Sequence, residues 1–185
     1  MPYIVKHSSF FHFDVTMNQI VQLNKSEWAT QLSKNGTQWL DFLCGKLVAA
    51  VGGSLTSDNM NRLTSDQITL YGYKVFREEM LEGGFCQLIQ NGYGPFIFEN
   101  PFAHALKLWG MKDLSKIINK ANTIYRKNKT DLIRERTEDE FMAMYEEYEA
   151  FDKWEDDYIE DEERYTTEIK EYVLAHSDQF YILTE

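Results

Sequence analysis

Apolar residues recur at helical spacing along most of the chain. Trp39, Leu40, Leu43, Leu47, Val48 and Val51 form one stripe, closed by Gly52-Gly53. A shorter helical pattern opens at Ser26, Glu27 and Trp28 and breaks at Asn35-Gly36. Behind a polar connection, Thr64 or Ser65 caps a helix with Ile68, Leu70, Tyr71, Val75, Phe76 and Met80 on its apolar face. That helix runs into Gly83-Gly84, where glycine permits a sharp reversal and close backbone approach. Phe85, Leu88 and Ile89 then predict a short helix buried on one side. A loop with Phe96, Ile97 and Phe98 leads to Asn100-Pro101, read as the N-cap and first residue of the next helix. Ala103, Leu106, Leu108 and Trp109 form that helix, which ends at Gly110.

Asp113 is read as the cap of a long helix with Leu114, Ile117, Ile118, Ala121, Ile124 and Tyr125 inward. Lys112, Lys116, Lys120, Arg126, Lys127 and Lys129 lie on its outer face. Thr137-Glu138-Asp139-Glu140 has the form of a capping box, with acids well placed at a helix start. Phe141, Met144, Tyr145 and Tyr148, then Trp154 and Tyr158, then Ile169, Tyr172 and Val173 keep the helical period. Glu146, Glu147, Glu149, Glu155, Asp156, Asp157, Glu160 and Glu163 fall largely between these apolar positions and are predicted to face solvent. The fold class is therefore all-α: one domain of roughly seven to nine helices. Residues 1–24 leave two readings open, a short extended arm around Tyr3-Ile4-Val5 and Phe10-Phe11-His12-Phe13, or a helix from Asp14 carrying Val15, Ile20 and Val21.

Charge changes the picture. The net charge is −11, yet residues 1–137 carry 16 basic and 12 acidic side chains while residues 138–185 carry 3 and 18. A net of −15 in the last quarter of the chain argues for a negative face, against direct nucleic-acid binding, and for a basic protein partner. Residues 138–171 hold 16 acids. If helical throughout, that is one carboxylate per ~3 Å of axis, near the ~3.4 Å phosphate spacing of one DNA strand. The plainer alternative is a solvated face, partly neutralised by the lysines of the preceding helix.

Other chemistry is sparse. Cys44 and Cys86 lack metal-type spacing, and both are read as buried, inert thiols without a disulfide. His7 and His12 lack the carboxylates that would make a metal site. The acidic run has no EF-hand glycine, so calcium is not expected. With no GxSxG elbow, HExxH or dinucleotide fingerprint, no catalytic residue and no cofactor is expected. The N-terminus lacks a signal-peptide pattern and no apolar run reaches membrane length, so a cytoplasmic, membrane-free protein is expected.

Glu78, Glu82, Gly83, Gly84, Phe85, Gln87 and Asn91 read Glu-x-x-x-Glu-Gly-Gly-Phe-x-Gln-x-x-x-Asn, followed by glycine, an Ala-Leu-x-x-x-Gly helix and a long amphipathic helix. Over about residues 64–181 this resembles a bacterial family built on a domain of unknown function that includes DNA-mimic protein 19. The sequence departs from the family pattern at Glu82, where an amide is usual, and in its first 60 residues. The resemblance implies an all-helical fold, a homodimer, and carboxylates presented in place of DNA phosphates to a DNA-binding regulator. It divides the chain into an extension, residues 1–63, packed on a family domain, residues 64–185.

The leading expectation is a non-enzymatic acidic interaction protein occupying the basic surface of a partner, either a DNA-binding regulator or a nuclease-like toxin held by an immunity-type inhibitor. Its face would be Glu146, Glu149, Glu155, Asp156, Asp157, Glu160 and Glu163. Glu78, Gly83, Gly84, Phe85, Gln87 and Asn91 are read as structural, their amides capping exposed backbone groups at helix ends. The alternative is a helical module that binds a peptide or small molecule in a pocket around residues 83–91.

Overall fold

Two long amphipathic helices, α7 (Lys112–Leu132) and α9 (Asp152–Ala175), pack against each other and carry most of the outer surface discussed below. The computed structural model describes residues 21–53, 55–56 and 58–185. The readings at residues 3–5, 10–15 and 20, and those for His7 and His12, fall outside them. Among the described residues the chain forms an all-α bundle of nine helices. The others are α1 (Lys25–Leu32), α2 (Gly36–Ala50), α3 (Ser65–Glu82), α4 (Gly84–Gln90), α5 (Gly94–Phe98), α6 (Phe102–Leu108) and α8 (Glu138–Glu147).

Local chemistry starts these helices where the sequence indicates. Thr64 accepts the Gln67 N–H while the Gln67 side chain accepts the Thr64 N–H, a reciprocal cap that satisfies two donors a helix start leaves open. Thr137 and Glu140 repeat the device on α8. Gln67 does more: fully buried, it donates to the Phe180 carbonyl at 2.7 Å and ties α3 to the C-terminal segment.

Several expectations change. Val21 belongs to a strand, β1 (Val21–Asn24), which pairs in parallel with β2 (Tyr181–Thr184) in register Val21↔Tyr181. Val21 and Leu23 alternate inward, the period of two that marks a strand rather than a helix. Phe96, Ile97 and Phe98 lie in helix α5, not a loop, with Pro95 at its start, where a missing N–H costs nothing. Asn100 does not cap α6; its amide donates to the Pro95 and Phe96 carbonyls and closes α5 instead. Pro101 precedes α6, Met111 rather than Asp113 precedes α7, and Leu108 is 71% exposed.

Phe85 occupies the centre of the core. Its ring meets Phe76, Phe98 and Phe151 at 5.2–6.1 Å between centroids, and Phe76 in turn meets Tyr158 edge-on at 5.0 Å. Such offset and edge-on contacts suit the ring quadrupole. Among the described residues the aromatic side chains are thus mostly interior. Cys44 and Cys86 are buried thiols, and burial pushes Cys86 up to about 12.

The junction between α7 and α8 is held by Asp131. Its carboxylate accepts the Tyr148 hydroxyl at 2.5 Å and pairs with Arg134 and Arg136. Those donors, the tyrosine first, hold it down at about 2. A carboxyl whose folded value lies below its unfolded value of about 3.9 stabilises the fold above that value and loses the contribution as pH falls toward 2. Asp131→Asn is therefore expected to flatten the fall in urea stability between pH 4 and 2 relative to the unsubstituted chain. An unchanged slope would remove Asp131 from the acid response.

Candidate functional site

The acidic segment is docked through the glycine pair. Gly84 has φ +69°, in the left-handed region that favours glycine, and a Cβ there would run into the Glu155 carboxylate. Glu155 Oε1 accepts the Phe85 N–H at 2.7 Å, one of the donors left open at the start of α4. From α8, the Tyr145 hydroxyl donates to the Gly83 carbonyl at 3.1 Å. Both acidic helices therefore converge on Gly83-Gly84. Gly83 itself is extended, and its lack of a side chain makes room for Gln87.

This corrects the reading of Glu155. It does not face solvent; it is turned inward, and burial raises its carboxyl above the ordinary range. Glu162 is another inward acid, 8% exposed, paired with Arg77 and accepting the Thr166 hydroxyl at 2.7 Å. Helical spacing contained the signal, because Glu155, Tyr158, Glu162, Tyr165 and Ile169 share one face at i, i+3, i+7, i+10 and i+14.

The motif amides also differ from expectation. Asn91 donates to Glu79 at 2.8 Å, and Gln87 donates to Glu82 at 3.1 Å. They engage carboxylates rather than backbone groups at helix ends. Glu79, only 9% exposed, is the acid inside this network, whereas Glu78 pairs outward with Lys74. With both amides so engaged and Phe85 buried, the motif forms a socket for the C-terminal helices. An apolar hollow lies elsewhere, between Met60, Ile68, Phe96 and Phe102.

On the outside of α9, Asp156, Glu160 and Glu163 are exposed, and Asp152 and Glu171 extend their row. The steps 152, 156, 160 and 163 follow one face of a helix, with Thr167 at the next position before Glu171. Sequence reading missed Asp152 and Glu171, although the same spacing contained them. None of these five carboxylates has an ion-pair partner among the described residues. The basic residues of the segment are engaged otherwise. Lys153 pairs with Asp157 at 3.0 Å, Arg164 with Asp161 and Glu168, and Lys170 donates to the Leu32 and Lys34 carbonyls. Asp157 is thus compensated and half-buried. Glu146 and Glu149 are exposed on the approach to α9.

Lys116 of α7 lines one groove with Glu160 of this row but makes no ion pair with it. Among the described residues no ion pair joins α7 to α9; Lys129 pairs with Glu99 instead. A groove lined by Asp113, Lys116, Trp154, Asp157, Glu160 and Asp161 separates the two faces. The spacing of charge on one face is coarser than a count over all faces suggests. Four carboxylates from residue 152 to 163 span ~16 Å, about one per 5 Å, roughly two-thirds of the phosphate density of one DNA strand.

Among the described residues, no group of three or more His, Cys, Asp or Glu side chains is arranged to hold a metal ion, and no helix is long and apolar enough to cross a membrane.

A family model described as DMP19-like protein matches residues 61–176. The chain is also similar to the DNA mimic protein DMP19 of Neisseria meningitidis serogroup B (strain ATCC BAA-335 / MC58). The two are 29% identical over 124 residues, which cover 66% of this chain and 75% of that protein.

Proposed function

The chain belongs to the DMP19-like protein family, and from that premise we propose that it acts as a DNA mimic. The outer row of α9 would occupy the basic, nucleic-acid-binding surface of a protein partner. The observation that carries this reading is the row Asp152, Asp156, Glu160, Glu163 and Glu171, without an ion-pair partner among the described residues although cations lie on either side. The similarity to a DNA mimic protein of Neisseria meningitidis supports it. Uncompensated charge on one helix face attracts a basic surface from a distance and speeds docking. Glu146 and Glu149 extend the field toward α8, while Glu155 serves the fold. The partner is a DNA-binding regulator or a nuclease-like toxin.

The protein's part is to occupy rather than to catalyse. The same reading places it in the cytoplasm, makes residues 1–63 an extension on the family domain, and includes a homodimer, for which exposed Met142 and Ile159 offer apolar contact.

The test is a salt series. A basic protein retained from the host lysate at low ionic strength should lose at least ~10-fold of its affinity on reaching physiological salt, because exposed charges are then screened beyond ~8 Å. Added duplex DNA should release it. Retention insensitive to both salt and DNA would contradict the proposal.

A further inference from the structure

Ion pairs engage lysine and arginine side chains along the chain from Lys25 to Arg164. The largest group outside that pattern lies on one surface. Lys107 at the end of α6 and Lys112, Lys116, Lys120 and Lys127 on α7 are exposed and have no ion-pair partner among the described residues. The α7 lysines keep the steps 112, 116, 120 and 127, with Thr123 between the last two, and so fall in one row about 22 Å long at 1.5 Å per residue. A shallow hollow among Lys107, Lys112, Lys116 and Lys120 is lined further by Asn119 and Thr123. In a protein of net charge −11, surrounding acids would be expected to neutralise such a row. Here α7 itself carries two acids, Asp113 beside the row and Asp131 one turn beyond Lys127, the latter engaged by Tyr148, Arg134 and Arg136. The next carboxylates lie across the groove from Lys116.

We infer that this lysine row is a docking surface for the phosphate backbone of duplex nucleic acid, bound without regard to sequence. The chemistry of the face selects that partner. A folded protein partner gains most from an aromatic or aliphatic anchor within the docked face. The α9 row has one in exposed Ile159, whereas the outer face of α7 is polar throughout and its exposed apolar neighbour, Leu108, lies off the helix beside Lys107. An anionic membrane is disfavoured for the same reason, since an interfacial helix buries an apolar face. A flexible acidic peptide would offer only isolated surface ion pairs, each worth little, and would lose freedom on binding. A duplex needs no anchor, because neutralising its phosphates releases condensed counterions. The exposed row also lacks the aromatic platforms on which single strands stack.

The overall negative charge, which argues against nucleic acid at a distance, is screened beyond about 8 Å in physiological salt, leaving the local row to decide contact. This inference is independent of the proposed mimicry, which uses the opposite charge on α9.

The experiment measures fluorescence anisotropy of a short labelled DNA duplex of arbitrary sequence titrated with the full chain at several salt concentrations. The expected logarithmic salt slope is about −4, from roughly 0.9 per phosphate neutralised by the row. Lys112→Gln/Lys116→Gln/Lys120→Gln/Lys127→Gln is expected to weaken low-salt binding at least ~10-fold. Asp152→Asn/Asp156→Asn/Glu160→Gln/Glu163→Gln, which leaves the row intact and removes repulsion, is expected to strengthen it. Three results would overturn the inference: no duplex binding at low salt by either the natural chain or the acid-neutralised variant, binding unchanged in the lysine variant, or phosphatidylglycerol vesicles or polyglutamate binding through these lysines more tightly than the duplex.

Discussion

Arg77→Met is expected to lower the unfolding free energy by about 3–5 kcal/mol, the range for breaking one side of a buried ion pair. Arg77 and Glu162 have side chains only 12% and 10% exposed, and they join α3 to α9. The guanidinium also donates to Thr37 at 2.8 Å, drawing in the first turn of α2. Beyond the carboxylate, Thr166 meets the Tyr73 hydroxyl at 2.7 Å. Removing the arginine leaves a carboxylate among groups with no positive charge. At about 2–4 °C per kcal/mol for a chain of this size, the midpoint of thermal unfolding should fall by roughly 10 °C. Arg77→Met/Glu162→Met discriminates the cause. If the penalty is the stranded charge, the double variant should recover much of the loss; if it is lost packing, the double variant should be worse.

The second large effect is expected at Gly84. Alanine there incurs ~1–2 kcal/mol for the left-handed backbone. It also displaces Glu155 from the Phe85 N–H, adding roughly 1–3 kcal/mol for a buried donor left unpaired. Gly92→Ala is the control, because Gly92 also has positive φ but nothing within 4 Å of the added Cβ. Urea unfolding of the two variants should differ by the Glu155 contribution. Equal losses would show that the carboxylate does not hold α9 to the glycine turn.

Glu155 also bears on acid response. A carboxyl raised above its unfolded value binds its proton more tightly when folded, so its contribution to stability declines as pH rises through that interval. Its sign is opposite to that of Asp131, whose hydrogen-bond donors, Tyr148 first, outweigh desolvation and lower it.

What the sequence revealed depends on the distance over which each feature is determined. The caps at Thr64 and Thr137 were legible because donor and acceptor lie three residues apart. The stripe of α7 was legible because 21 residues repeat it. Helix α5 was not: five residues make little more than one turn, and Gly94-Pro95 reads equally well as a turn. The β1–β2 pair was hidden because Val21 meets a partner 160 residues away, and four residues of alternation are too few to stand out. For the site, acidic character was plain in composition, but which acids turn outward required the helix phase. Glu155 and Glu162 were sorted by the core, and Asp157 by Lys153.

The central claim is that the outer carboxylates of α9 take the place of DNA phosphates, and the most direct measurement is competition. A DNA-binding protein recovered with this chain would be bound to a labelled duplex and titrated with the natural chain and with Asp152→Asn/Asp156→Asn/Glu160→Gln/Glu163→Gln, at a salt concentration where neither chain binds the duplex by itself. Four exposed substitutions should each change stability by no more than about 0.5 kcal/mol, so both chains remain folded. The natural chain should release the duplex, and the variant should fail to do so at the same concentration. Equal release by both chains would contradict that claim.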